Sequence, residues 1–333
     1  MTPGIQQLTL YLIKTPEIKD PKINLAIEEF AVRNLDISKD YLFIYSNSPS
    51  VIIGKNQNPF EEVNITFSNE KNIEIVRRIS GGGAVYHENG NINFSFITEN
   101  TKENFNNYKI FLNPIIKLLN RLGVPAKINH RNDIIVEGKK ISGNAQFTSR
   151  NRLLSHGTLL FDANLQNVSK TLSSAINNIQ SKSTKSVRSK VTNISEFLKK
   201  AIPVTDFRNS LADEILKAFS FEGYVEFNQI QWAEINGLAE NKFNTWKWNW
   251  GRTPGFNVNI EDQKFEFKAI LEIKNGLVVQ IDYLDCPIQI RKILNGLQNL
   301  RFSKKEIENH IFQKPNQLNT KEKQKLINTI FPY

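Results

Sequence analysis

The sequence predicts a protein of mixed helix and strand in two parts. Short apolar runs bounded by turn residues fill much of the first half, and two longer stretches carry helical periodicity. Near Thr245 the composition shifts: three of the four tryptophans cluster, and a new hairpin-and-helix pattern begins. A length of 333 residues with 40% hydrophobic content suffices for a large core and suits two domains, or one with an appendage.

The first runs, "YLFIYS" (41–46), "VIIG" (51–54) and "IEIV" (73–76), read as strands. "AVYH" and "NINFSFI" read as a hairpin around Glu88, Asn89 and Gly90, because glycine supplies the positive φ that tight turns need. The stretch 108–123 places Ile110, Phe111, Ile115, Leu118, Leu119 and Leu122 on one helical face and stops at Gly123. A second hairpin turns at Glu137-Gly138, "HGTLLF" (156–161) is a strand, and Thr205 to Phe219 is a helix capped by Thr205 or Asp206. Between the last two, 177–194 is serine-rich and basic with few apolar anchors, so it reads as a mobile loop. In 241–258, Trp246, Trp248 and Trp250 fall on one face of an extended segment, suited to packing between domains. A hairpin turned at Asn275-Gly276 follows, then helical periodicity over 287–300 and again after Ser303. The expected division is 1–245 for the larger, catalytic part and 246–333 for a small accessory part.

With 43 Lys+Arg against 33 Asp+Glu the formal charge is +10, which favours an anionic partner without choosing among nucleotide, nucleic acid and acidic protein. Cys286 is the single cysteine, so no intrachain disulfide forms and a cytoplasmic setting is expected. No leader pattern occupies the first 30 residues, and no run of about 18 apolar residues suggests a membrane span.

Three stretches suggest chemistry. In "RRISGGGAVY" consecutive glycines let main-chain N–H groups approach an anion beside arginine, although a flexible turn between strands is an equal reading. Neither a Walker A loop nor a dinucleotide fingerprint is present. In "RNDIIVEGKKISG" strand alternation sends Lys139 and Lys140 to opposite faces, so one can hold a carboxylate or phosphate while the other is solvated. His156 opens an apolar strand, where local hydrogen bonding is commoner than catalysis. The four histidines lack zinc-ligand spacing, and no Gly-x-Ser-x-Gly elbow occurs. Cys286, beside Pro287, reads as a small packed hydrophobe.

Taken in order, "INLAIEE" (23–29), "VIIGKNQNPFEEVN" (51–64), "RRISGGGAVYHENGNINFSF" (77–96), "RNDIIVEGKKISGNAQF" (131–147), "HGTLLFDANL" (156–165), "KSVRSKVTNI" (185–194) and "WKWNWGRTPGF" (246–256) closely resemble the lipoate–protein ligases. The resemblance runs from about residue 20 to the C-terminus. It implies an α+β fold: a biotin/lipoyl ligase-type catalytic domain with mixed sheets and flanking helices, plus a small α+β C-terminal domain. It implies ATP-dependent activation of lipoate to lipoyl-AMP with release of pyrophosphate, and transfer of the lipoyl group to a lysine of an acceptor. Those acceptors would be lipoyl domains of 2-oxoacid dehydrogenase E2 subunits or the glycine-cleavage H-protein, with neither nucleic acid nor membrane involved.

Carried over by position, Arg78, Gly83, Ala84, Val85 and Tyr86 would bind ATP, and Lys140 would be the catalytic lysine touching both lipoate carboxyl and phosphate. Ser80, Gly81, Gly82, His87 and His156 would line the lipoate pocket, and Asn132 and Asp133 would contact adenylate or its Mg2+, whose ligands stay open. Arg77 would add charge or form a salt bridge. Two departures stand out: Lys190 occupies an arginine position of the family and cannot make a planar bidentate contact, and Asn144 and Gln146 alter the "ISGNAQF" stretch. The resemblance leans towards a monomer. The rival within the fold is an octanoyl or lipoyl transferase acting through an acyl-cysteine, yet no cysteine precedes Cys286.

Overall fold

The computed structural model describes residues 9–173, 178–314 and 316–332. A six-stranded sheet runs in the order β10 (Asn144–Ser149), β11 (Arg152–Leu160), β6 (Asn91–Glu99), β2 (Asp40–Tyr45), β1 (Thr9–Lys14), β13 (Ser220–Glu226). It is mixed, because β1 pairs parallel with both β2 and β13 while the remaining pairs are antiparallel. Two small sheets stand beside it: β4 (Glu74–Arg77), β3 (Ser50–Ile53), β5 (Val85–His87), and β7 (Lys127–Ile128), β8 (Ile134–Val136), β9 (Lys139–Ser142).

One face of the large sheet is covered by α1 (Pro21–Asn34) and α7 (Gln229–Leu238), sharing a core with Phe30, Phe43, Ile97 and Leu154. The other is covered by α4 (Tyr108–Arg121) and α6 (Val204–Ala218), around Phe94, Phe96, Phe111 and Phe207. The short helices α2 (Pro59–Glu62), α3 (Ile65–Glu70) and α5 (Leu165–Thr171) flank the small sheets. A further core is built on an antiparallel sheet, β12 (Ile179–Ser181), β14 (Phe256–Asp262), β15 (Phe267–Lys274), β16 (Leu277–Asp285), with α9 (Ile288–Asn295), α10 (Lys304–Gln313) and α11 (Thr320–Ile330); β12 and Phe60 join it from before residue 246.

Most of the elements read from sequence are present, with five corrections. The β5 and β6 runs do not pair as a hairpin: β5 joins β3 and β6 joins β2 and β11. Gly90 serves close approach rather than turn dihedrals, since an added Cβ would lie 2.0 Å from the Asp162 carbonyl oxygen. Helix α6 begins at Val204 after Pro203, without a side-chain cap, because proline already fixes the entry dihedral. The tryptophan segment is not extended. Thr245 Oγ1 accepts from the Trp248 amide and starts a short helix, α8 (Trp246–Asn249). Trp248 then packs in the α1 core and Trp250 against the C-terminal core, so the segment still bridges the two hydrophobic clusters.

The basic stretch differs too. Its first residue, 177, lies outside the described residues, but the rest is tied down. Ser181 and Ser183 donate to Glu61, Lys185 pairs with Glu61 at 3.5 Å, and the Ser186 amide donates to Glu62 at 3.0 Å. An acidic pair on α2, Glu61 and the buried Glu62, was the missing anchor.

Candidate active site

The glycine turn is shaped by three separate demands. Gly82 has φ +89°, a conformation that side chains rarely adopt. Gly54 faces it so closely that a Cβ would sit 2.1 Å from the Gly82 carbonyl oxygen, and a Cβ on Gly83 would meet Ser186 Oγ at 2.9 Å. Gly81 faces open space. Gly81→Ala should therefore leave the melting temperature nearly unchanged, whereas Gly54→Ala should cost more than about 2 kcal/mol in a denaturation experiment. Equal losses would refute this division.

Arg77 and Arg78 leave the strand on opposite sides. Arg78, 6% exposed, donates from Nε to Ser80 Oγ, from Nη1 to the Ile52 carbonyl, and from Nη2 to the carbonyls of Gly81 and Gly83 at 2.6 and 2.8 Å. It thus holds the turn's shape and lends it charge, most of its donors being spent on the protein. Burial lowers its pKa to about 10. Among the described residues Arg77 makes no ion pair. It turns away from the glycines and donates to main-chain carbonyls of 54–57 and of the tryptophan segment.

The turn borders two adjoining cavities. The inner, about 330 Å³, is lined by Leu25, Tyr45, Arg78, Gly82 to Val85, His87, Asn93, Asp133, Lys140 and His156. The outer, about 660 Å³, is lined by Ala84 to Tyr86, Ser142, Gly143, Val168 and the segment 185–191, together with Lys140. Ala84, Val85, Lys140, Gly143 and Thr158 border both. Cations outnumber acids around the inner one: Arg78, Arg131, Lys140 and Lys185 stand against Asp133.

Lys140 sits at the junction. Its Nζ is 2.8 Å from Asp133 Oδ1, and its strand is held by the Lys190 carbonyl, which accepts from the Lys140 amide at 2.7 Å. Lys139 is exposed, as alternation along β9 requires. Gly143 leaves the lysine its room, since a Cβ there would lie 3.0 Å from Nζ. What position 190 supplies here is its main chain, so the arginine-to-lysine departure leaves this contact intact.

The remaining sequence candidates fall into place unevenly. The Ala84 amide donates to Ser186 Oγ at 2.9 Å, so that N–H is occupied by the covering segment. Tyr86 is buried on the opposite face from Val85, with its hydroxyl 3.2 Å from Glu88, and it borders only the outer cavity. Asn132, at φ +63°, works through its carbonyl, which accepts from Asn144 Nδ2 at 2.7 Å, and its side chain lines neither cavity. Ser80 and Gly81 line neither cavity.

Sequence reading missed Glu28. Buried at 1% exposure, its carboxylate accepts from Tyr45 at 3.0 Å, from Ser95, and from His156 Nδ1 at 3.0 Å. His156 Nε2 in turn lies 2.7 Å from Ser80 Oγ, the acceptor of Arg78 Nε. The chain Glu28, His156, Ser80, Arg78 couples the inner end of the cavity to the glycine turn; burial would raise the Glu28 pKa, yet His156, with Ser95 and Tyr45, holds it below its ordinary value. Asn24 and Glu28, four apart and so on one face of α1 among buried apolar residues, were the available signal.

Fold and cavities together place a glycine turn and several cations around two adjoining cavities, an arrangement of the kind found in enzymes. The family model for the lipoyl protein ligase A/B catalytic domain matches residues 20–216. A lipoate-protein ligase of Bacillus subtilis, LplJ, is 44% identical over 284 residues, covering 84% of both chains. A solved lipoate-protein ligase A bound with ATP superposes with a TM-score of 0.62 at 26% identity, covering 73% of this chain and 98% of that one. The bi-partite ligase of Thermoplasma acidophilum, described with its E2 lipoyl domain, shares the fold at a TM-score of 0.61 and 24% identity, covering 73% and 96%. The chain belongs to the lipoate–protein ligase family, and it is an enzyme of that kind.

Proposed function

We propose that this enzyme joins lipoate to ATP at the junction of the two cavities and passes the lipoyl group to a lysine of an acceptor protein. The observation that carries the reading is Lys140: a strand-held ammonium that borders both cavities, as Lys185 does from the covering segment, beside main chain left bare by Gly82, Gly83 and Gly143. The acid occupies the inner cavity and the nucleotide the outer. A carboxylate oxygen attacks the α-phosphorus, the bond to the β-phosphate oxygen breaks, and pyrophosphate leaves with that electron pair. Two anions about 4 Å apart repel by about 4 kcal/mol near a protein surface, and Lys140, Arg78 and the turn amides oppose this. In the second step a neutral lysine amine of the acceptor attacks the acyl carbon, the carbon–oxygen bond to AMP breaks, and the amine sheds a proton.

Among the described residues no group of three or more acidic, histidine or cysteine side chains is placed to hold a metal. Mg2+ travelling on a triphosphate needs only one or two protein carboxylates; Glu61 and Glu62 line the outer cavity, and Asp133 lines the inner one beside Lys140. When bound it would neutralise phosphate charge. The acceptors we assign are lipoyl domains of 2-oxoacid dehydrogenase E2 subunits or the glycine-cleavage H-protein. Their encounter with a chain of charge +10 is favoured where they are acidic. No described helix is long and apolar enough to cross a membrane, and a cytoplasmic setting suits the single cysteine.

The decisive assay mixes enzyme, lipoate and a lipoyl domain with and without ATP. Modification without ATP would overturn the reading and favour a transferase. Cys286, the thiol such a transferase would use, lies in the C-terminal part with its pKa raised by burial, a poor nucleophile. Cys286→Ser should therefore keep full activity, within a factor of two in lipoyl transfer.

A further inference from the structure

An enzyme that works through an acyl-adenylate holds a mixed anhydride, and any amine placed beside it competes with the acceptor. The anhydride carbon forms where the two cavities meet, so the lysines that border both are the ones within its reach. Among the described residues these are Lys140 and Lys185; Lys190 borders the outer cavity alone, and Lys139 and Lys182 border neither.

The two are held differently. Lys140 Nζ lies 2.8 Å from Asp133 Oδ1, on a side chain 26% exposed. Lys185 is 67% exposed, and the carboxylate oxygen it faces, Glu61 Oε1, is 3.5 Å away. The other oxygen of Glu61 already accepts from Ser181 and Ser183. On its flexible four-carbon stem, the Lys185 amine is therefore the freer of the two to swing and attack.

Its main chain, by contrast, is fixed over the glycine turn. The Thr184 amide donates to the Asn56 carbonyl at 3.1 Å, the Ser186 amide donates to Glu62 at 3.0 Å, and a Cβ on Gly83 would lie 3.3 Å from Ser186 Cα. Ser186 also borders both cavities, yet its Oγ accepts from the Ala84 amide and from Gln57 Nε2, which occupies the lone pairs a nucleophile would need.

We propose that Lys185 is a self-acylation site, to which the enzyme transfers the acyl group of its own adenylate when no acceptor is present. The inference rests on the ligase reading above. Lys185 Nζ, as the neutral amine, bonds the acyl carbon; the carbon–oxygen bond to AMP breaks, AMP leaves with the electron pair, and the amine's extra proton passes to solvent. Each event replaces an ammonium by a neutral amide and removes one of the four cations around the inner cavity, so activation without an acceptor limits itself.

The test incubates the unaltered enzyme with lipoate and ATP, without acceptor, and maps acyl groups by peptide mass spectrometry after neutral hydroxylamine, which strips esters and leaves amides. The expected result is an acyl amide on Lys185 at least about tenfold above that on Lys182, an exposed lysine three residues away, because an amine held beside the anhydride reacts at high effective concentration. The labelled fraction should not depend on enzyme concentration, and a lipoyl domain in excess should lower it at least about tenfold. Labelling of Lys182 and Lys139 equal to that of Lys185 would overturn the proposal, since adenylate escaping into solution would then be the acyl donor. A bare Lys185 in enzyme that releases pyrophosphate would overturn it too, with the ligase reading intact. No pyrophosphate release from lipoate and ATP would instead overturn that reading and the proposal with it, a distinguishable result.

Discussion

Lys140→Ala should slow formation of lipoyl-AMP at least 100-fold, while Lys139→Ala leaves it within about threefold. The lysines are adjacent, and their difference is one of direction: Lys140 borders both cavities and Lys139 is exposed. Removing one aligned donor from a charge-developing site costs on the order of 2.7–4 kcal/mol, which sets the 100-fold figure. The deletion also leaves the mostly buried Asp133 carboxylate without its cation, adding an unopposed negative charge where two anions must meet. Lys140→Arg should recover only part of the rate, because a planar guanidinium cannot occupy the space of an ammonium lying 3.0 Å from the Gly143 Cβ position. Single-turnover pyrophosphate release measures the first step, and preformed lipoyl-AMP isolates the second. Should Lys140→Ala keep more than a tenth of the native adenylation rate, or Lys139→Ala lose as much, the assignment fails.

What was legible in the sequence is what short-range rules govern. The Asn275-Gly276 and Glu137-Gly138 turns have all four residues at positive φ, and the 108–123 pattern forms α4. Strand alternation was enough to separate Lys139 from Lys140. What was not legible depends on partners far along the chain. The β5 and β6 runs looked like a hairpin because a glycine turn joins them, and only their pairing with β3 and with β2 and β11 sends them to different sheets. The basic stretch lacked apolar anchors, and its ties to Glu61 and Glu62 span more than a hundred residues. Glu28 was quoted within "INLAIEE" yet given no role, since a glutamate in a helix is ordinarily solvated and its partners lie on β2, β6 and β11. Arg78 was read as a nucleotide contact, and the structure shows most of its donors holding the turn, because burial obliges an arginine to fill its hydrogen bonds first.

Arg77 is where the largest loss of stability is expected. Its guanidinium is fully buried and donates to the carbonyls of Gly54, Lys55, Gln57, Trp248 and Asn249 and to Thr253 Oγ1, at 2.7 to 3.1 Å. Its own amide donates to Asn249 Oδ1, and Trp248 Nε1 donates to its carbonyl. One side chain thus stitches the loop beneath the glycine turn to the tryptophan helix between the two hydrophobic clusters. Arg77→Met fills most of the volume but strands these acceptors, each worth about 1–3 kcal/mol when buried and unpaired. Water entering the seam and non-additivity reduce the sum, leaving a destabilisation above about 4 kcal/mol. Arg77→Lys, with three donors on one point, should recover less than half of it. The seam also carries function: Gly54 supports Gly82, so a loosened 54–57 loop should raise the KM for ATP more than it lowers kcat. Denaturant titration followed by tryptophan fluorescence checks the first claim, and steady-state kinetics on whatever fraction folds checks the second. A variant within about 1 kcal/mol of native stability would mean that the carbonyls find other donors, and the seam would then owe its cohesion to the packing of Trp248 and Trp250 alone.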